Sequence, residues 1–155
     1  MYNIVFVCHG NICRSPMAEF IFKSMLKERH LENSFHVESA AVSDEEYGNS
    51  IYPEAKRCLT RHNIPFSLSK TARTITKKDY DTFDIIICMD KSNIRLLNAI
   101  IGKDVDNKVF LLMTFTGKDK DVADPWFTRN FETTWNDLQK GCNALLNYIL
   151  KQHNK

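Results

Sequence analysis

One short stretch constrains this chain more than any other: VFVCHGNICRSPMAEF, residues 5–20. Asn3 to Val7 is an unbroken apolar run that stops at a turn, the pattern of a strand buried on both faces of a parallel sheet. Met17, Phe20, Ile21, Met25 and Leu26 then recur at helical spacing, which predicts a helix over 15–30. Pro16 suits the first turn of that helix, where a missing N–H costs nothing. A thiol, Cys8, and a guanidinium, Arg14, stand at the two ends of the loop that joins strand to helix.

The rest of the chain repeats the alternation. Strands are expected at 34–40, 84–89 and 108–113, and helices at 52–62, 92–101 and 131–152. The last helix carries Trp135, Leu138, Cys142, Leu145, Leu146, Ile149 and Leu150 on one face. This order predicts an α/β fold: a three-layer sandwich with a four-stranded parallel sheet and helices on both faces. Its 155 residues suit a single domain, 1–155, with one substantial core. Ligands of such sheets bind beyond the carboxyl ends of the strands, where the Cys8–Ser15 loop lies.

That loop has the parts of an anion cradle. A tight strand–helix junction aims successive backbone N–H groups inward, and the helix N-terminus adds its positive dipole end. Gly10 allows a close backbone approach or a positive φ. Arg14 offers a planar fork for two oxygens of a tetrahedral oxyanion. The same field favours a thiolate at Cys8, placed for in-line attack on phosphorus. Ser15 can donate to that thiolate, and Asn11 can orient the loop. A cysteine at a strand end is ordinarily core, and an arginine after a loop is ordinarily a surface charge. Their joint placement around one glycine-bearing turn outweighs those readings. A nucleotide-type phosphate loop is excluded, because no Gly-Lys-Ser/Thr follows.

Bulk properties narrow the partners. Formal net charge is only +2, so nothing favours nucleic acid or an anionic membrane. No apolar run is long enough to span a bilayer, and the N-terminal segment lacks signal-peptide character, so a cytoplasmic location is expected. Five cysteines, without a CxxC pair, argue against both a disulfide framework and a zinc site. Cys58, Cys88 and Cys142 read as packed thiols.

CHGNICRSPMAE resembles the Cys-x5-Arg phosphate loop of the low-molecular-weight protein tyrosine phosphatases. VESAAVS at 37–43, FDIIICMDKSN at 83–93 and ADPWF at 123–127 extend the likeness over most of the chain. The resemblance implies a metal-independent phosphatase without a cofactor. Cys8 would attack phosphorus and carry a phosphocysteine, and Asp124 would serve as general acid, then base. Arg14 and the loop residues His9, Gly10, Asn11, Ile12, Cys13 and Ser15 would bind phosphate. Trp126, Phe127 and Tyr47 would wall a slot for the phosphotyrosine ring. Phosphotyrosine proteins are the implied substrates, with inorganic phosphate or vanadate as inhibitors, and a monomer is expected.

Several positions depart from the family pattern. His9 stands where Leu, Val or Thr is common. Ile12 matches the tyrosine-directed members, whereas a branch acting on phosphoarginine usually has Thr. Lys70 stands where a His commonly braces the loop, while Ser39 is retained. Cys13 resembles the family's second loop cysteine, which would trap oxidised Cys8 as a disulfide. Three alternatives use the same fold: a phosphoarginine phosphatase, an arsenate reductase and a non-catalytic phosphate-binding module. An arsenate reductase needs a downstream redox cysteine pair, and Cys88 has no partner before Cys142.

Overall fold

The N-terminal apolar run becomes an interior strand of a parallel sheet. The structure, a computed structural model, describes residues 1–153. Its elements are β1 (Tyr2–Cys8), α1 (Arg14–Glu28), β2 (Phe35–Ala41), α2 (Pro53–Arg61), α3 (Lys77–Thr82) and β3 (Ile85–Cys88), followed by α4 (Lys91–Ile101), β4 (Val109–Leu111), a 3-10 helix (Leu112–Thr116), α5 (Pro125–Thr128) and α6 (Phe131–His153). The strands pair in the order β2-β1-β3-β4, and every pairing is parallel. The expected four-stranded α/β sandwich is therefore observed.

Alternate residues of β1 and β3 explain why both read as unbroken apolar runs. Ile4, Phe6, Ile85 and Ile87 face one core, which α1, α2 and α6 cover with Met17, Phe22, Leu59, Leu138 and Leu145. Val5, Val7, Ile86 and Cys88 face the other, covered by Tyr80 of α3 and by Leu97 and Ile101 of α4. Strands buried on both sides need apolar side chains at every position. Strand order reverses at β1, with β2 on one flank and β3 on the other. The carboxyl ends of β1 and β3 thus open the crevice in which α/β sheets hold ligands.

The structure differs from the sequence expectation in four places. Helix α3 lies in a segment with no visible apolar period, because Tyr80 is its one buried residue. A capping box starts it: Thr76 accepts from the Asp79 N–H, and the Asp79 carboxylate accepts from the Thr76 N–H at 2.8 Å. Strand β4 is shorter than 108–113, because Leu112 and Met113 leave the sheet for the 3-10 helix. Both are buried, Leu112 against α6 at Gly141. The single turn α5 was hidden in the Asp-Pro loop, where the Asp124 side chain caps it. Finally, α1 starts at Arg14, inside the expected loop, so the guanidinium sits in the helix's first turn.

Among the described residues, no helix is long and apolar enough to cross a membrane.

A Cβ at position 141 would lie 2.5 Å from Leu112 Cγ, and Leu112 is fully buried with nowhere to recede. Gly141→Ala is expected to cost about 1–3 kcal/mol by overpacking, despite alanine's better helix propensity. Urea or thermal unfolding measures it.

Candidate active site

The site is built where α1 begins. Cys13 is the N-cap of α1 and offers no side-chain cap to the helix. The first N–H groups are therefore open to another acceptor. The sulfur of Cys8 takes that place. It accepts from the Asn11 N–H at 3.3 Å and the Ser15 N–H at 3.4 Å, and Ser15 Oγ lies 3.0 Å away.

The loop reaches this shape through Asn11, whose φ of 61° lies in the left-handed region. Asparagine tolerates that region better than most side chains. Gly10, for which the sequence allowed a positive φ or a close approach to a ligand, does not have a positive φ, and the neighbour it lies against is Glu46. A Cβ on Gly10 would stand 3.2 Å from Glu46 Cγ.

A buried network holds Asn11 in this conformation. Its Nδ2 donates to Ser15 Oγ at 2.7 Å and to Ser39 Oγ at 3.0 Å, while its Oδ1 accepts from the Arg73 N–H at 3.2 Å. Ser39 Oγ donates onward to Glu19 Oε1 at 2.6 Å. Lys70 Nζ donates to the Ser39 carbonyl at 3.0 Å and lies 4.0 Å from Glu19 Oε1. Burial pulls its ammonium below the ordinary lysine range, and Glu19 opposes that pull. Lys70 is thus a member of the bracing network, in the place where the sequence comparison raised it as a departure.

Arg14 is 4 % exposed and meets two carboxylates from distant segments. Nη1 contacts Asp90 Oδ2 at 2.9 Å and donates to the Val122 carbonyl at 3.2 Å, while Nη2 lies 3.6 Å from Asp124 Oδ2. Asp124 also accepts from the Trp126 N–H at 3.0 Å, which orients its carboxyl at the start of α5. Asp90 was missed in the sequence. Its signal was an aspartate just past an apolar strand, followed by a helix, at the sheet edge that already holds Cys8. It caps α4, accepting from the Asn93 N–H at 2.8 Å. Burial raises the Asp90 carboxyl, but Arg14 and the Asn93 N–H outweigh it and hold the group below the ordinary carboxylate range.

These groups surround a cavity of about 430 Å³. Cys8, Ile12, Cys13, Arg14, Asp90 and Asp124 line it, and His9 and Gly10 run along one side. Trp126 and Phe127 form a wall, 52 % and 85 % exposed. Trp126 is steadied edge-on by Tyr52, with ring centroids 4.7 Å apart. Asn11 and Ser15 lie behind the sulfur, outside the lining. Tyr47, expected in the wall, does not line the cavity and is 69 % exposed. Its neighbours Glu45 and Glu46 line it instead, from a turn in which the Tyr47 N–H donates to the Asp44 carbonyl.

All five cysteines are free. Burial and the neighbouring Cys8 push the Cys13 thiol far above its ordinary value, so it is a neutral thiol. Cys88 and Cys142 are fully buried in the two different cores, on opposite sides of the sheet. A further cluster joins Cys58, His62 and Glu132, whose ligand atoms lie within 4.8 Å of one another. Its cation is Arg61, whose Nε is 3.0 Å from Glu132. No spacing along the chain announces this group, since Glu132 arrives from α6.

A family model described as low molecular weight phosphotyrosine protein phosphatase matches residues 3–155. The chain belongs to this family. It is 39 % identical to the human low molecular weight phosphotyrosine protein phosphatase over 149 residues, covering 93 % of each chain. The crystal structure of YfkJ from Bacillus subtilis superimposes with a TM-score of 0.93, at 36 % identity, covering 98 % of this chain and 96 % of that one. A Drosophila arginine phosphatase shares the fold with a TM-score of 0.82 at 28 % identity, covering 94 % and 96 %. In this low molecular weight phosphatase the Cys8–Ser15 loop lies at the end of the first strand of the shared hydrolase fold.

A carboxylate favoured by the fold contributes stability above about pH 4 that is lost as the pH falls further. Asp90→Asn keeps the helix cap but removes the charge opposite Arg14. It is expected to lower Tm at pH 7, and the gap from the parent should close as the pH drops below about 4. A series of thermal melts across pH measures this.

Proposed function

We propose that this phosphatase removes phosphate from tyrosine residues of proteins, and from small aryl phosphates, through a phosphocysteine on Cys8. One observation carries the reading: the Cys8 sulfur accepts two backbone N–H groups at the floor of a cavity that also holds Arg14 and Asp124. Donors aimed at sulfur stabilise the thiolate, the form that attacks.

In the first step Cys8 Sγ bonds to phosphorus as the phosphorus–aryl oxygen bond breaks. Asp124, in its acid form, passes its proton to the departing phenolate oxygen. Arg14 and the loop N–H groups hold the equatorial oxygens, where negative charge gathers in the transition state. In the second step the Asp124 carboxylate takes a proton from water, whose oxygen attacks phosphorus. The S–P bond breaks, phosphate departs, and Cys8 leaves as a thiolate that the Ser15 hydroxyl can stabilise, 3.0 Å away. Asp90 positions Arg14 and takes no part in proton transfer.

Trp126 and Phe127 favour an aryl substrate, because their exposed rings flank the entrance. Ile12 in the cavity also supports phosphotyrosine over the phosphoarginine taken as substrate by arginine phosphatases of the same fold. An arsenate-reducing cycle needs a second thiol pair, and Cys88 and Cys142 lie in separate cores.

Cys8→Ser is expected to abolish turnover while inorganic phosphate or vanadate still binds, as titration calorimetry reads. Asp124→Ala is expected to slow phenyl phosphate roughly a hundredfold or more, and p-nitrophenyl phosphate far less, because a good leaving group does not need the acid. Parallel assays on phosphotyrosine, phosphoserine and phosphoarginine peptides test the substrate class. Normal activity in Cys8→Ser, or a preference for phosphoarginine, would reject the reading.

A further inference from the structure

The chain is slightly basic overall, yet the lip of its cavity is acidic. Glu45 is 68 % exposed at its side chain, and among the described residues its one ionic contact is His9 Nε2 at 3.3 Å. Glu46 lies against Gly10 of the phosphate loop, and its Oε2 accepts from the Asn49 amide at 2.7 Å. No lysine or arginine among the described residues pairs with either carboxylate. Arg14, the cation at the floor, is already met by Asp90 and Asp124. Trp126 and Phe127, which also line the cavity, carry no charge.

The acidic lip is also held in place. The Tyr47 N–H donates to the Asp44 carbonyl at 3.1 Å, the Asn49 N–H to the Glu46 carbonyl at 2.9 Å, and the Gly48 N–H to the Ala72 carbonyl at 2.9 Å. The two carboxylates therefore stand on a backbone tied to the rest of the fold.

We propose that Glu45 and Glu46 select phosphotyrosine sites flanked by lysine or arginine. The inference rests on the reading of the cavity as a phosphotyrosine site. With phosphorus at Cys8, the tyrosine ring spans the cavity and the peptide backbone crosses the lip. Residues beside the phosphotyrosine then come within reach of two carboxylates that lack a strong counter-charge. A basic flank supplies that charge, whereas an acidic flank is repelled. The exposed aromatic wall adds a surface on which a guanidinium can stack.

The test uses three phosphotyrosine peptides that differ only in the residues flanking the tyrosine: lysine, glutamine or glutamate. Against the unaltered enzyme, kcat/KM is expected to fall in that order, with a lysine-to-glutamate ratio of roughly three- to tenfold. The ratio should shrink at about 0.5 M salt, where exposed charges are screened. In Glu45→Gln/Glu46→Gln it should collapse toward one, and Glu45→Lys should favour the glutamate peptide. Hydrolysis of all three peptides at equal kcat/KM would overturn the selection and leave the phosphotyrosine reading intact. A ratio that survives in the double glutamine variant would likewise assign it elsewhere. Failure to hydrolyse any of the three would overturn both.

Discussion

The hydrogen bonds from the start of α1 to the sulfur of Cys8 organise the rest of this structure. A helix begins with N–H groups that need an acceptor, and α1 has no side-chain cap at Cys13 to supply one. The Ser15 N–H, joined by that of Asn11, turns to a thiol at the end of the preceding strand. This is possible because β1 ends at Cys8 and the chain re-enters a helix at Arg14, so strand end and helix start face one point. An anion at that point meets the dipole end of the helix and the Arg14 guanidinium together.

The remainder of the site keeps that arrangement from relaxing. Asn11 in a left-handed conformation is costly unless its surroundings over-determine it. Ser15, Ser39 and the Arg73 N–H do so, with Glu19 and Lys70 behind them. A buried carboxylate is costly without a cation, and Glu19 has Lys23 Nζ at 2.6 Å and Lys70 Nζ at 4.0 Å. On the other side, Arg14 would swing freely if Asp90 and the Val122 carbonyl did not hold Nη1. The cradle is thus shaped by backbone geometry and aimed by polar side chains from other segments, among them Ser39, Lys70, Asp90 and Asp124.

Asp90 and Asp124 illustrate how one residue type serves two kinds of contact. Each caps a helix through its side chain, and each faces Arg14. Capping fixes the rotamer, and a fixed rotamer is what an ion pair or a proton transfer at that spot requires. Glu45 and Glu46 differ: they stand at the exposed lip, where they shape what approaches the site rather than what reacts in it.

The parallel sheet, the helix after it and the Cys8–Arg14 loop were legible in the sequence, because each depends on local order. Apolar runs mark strands buried on both faces, helical spacing marks α1 and α6, and the thiol and guanidinium are separated by only the five residues between Cys8 and Arg14. Helix α3 was not legible, because a capping box of polar residues starts it and one tyrosine anchors it. Neither was the early end of β4, which depends on the space that Gly141 leaves for Leu112 on another helix. Within the site, the sequence by itself determined the Cys8–Arg14 loop and, through its resemblance, the Asp124 segment. Tertiary structure alone decided that Asp90 would hold Arg14, that Lys70 would enter the bracing network and that Glu45 and Glu46 would displace Tyr47 from the wall. These contacts join residues separated by tens of positions, and only the packing of the sheet and its helices sets the distances between them.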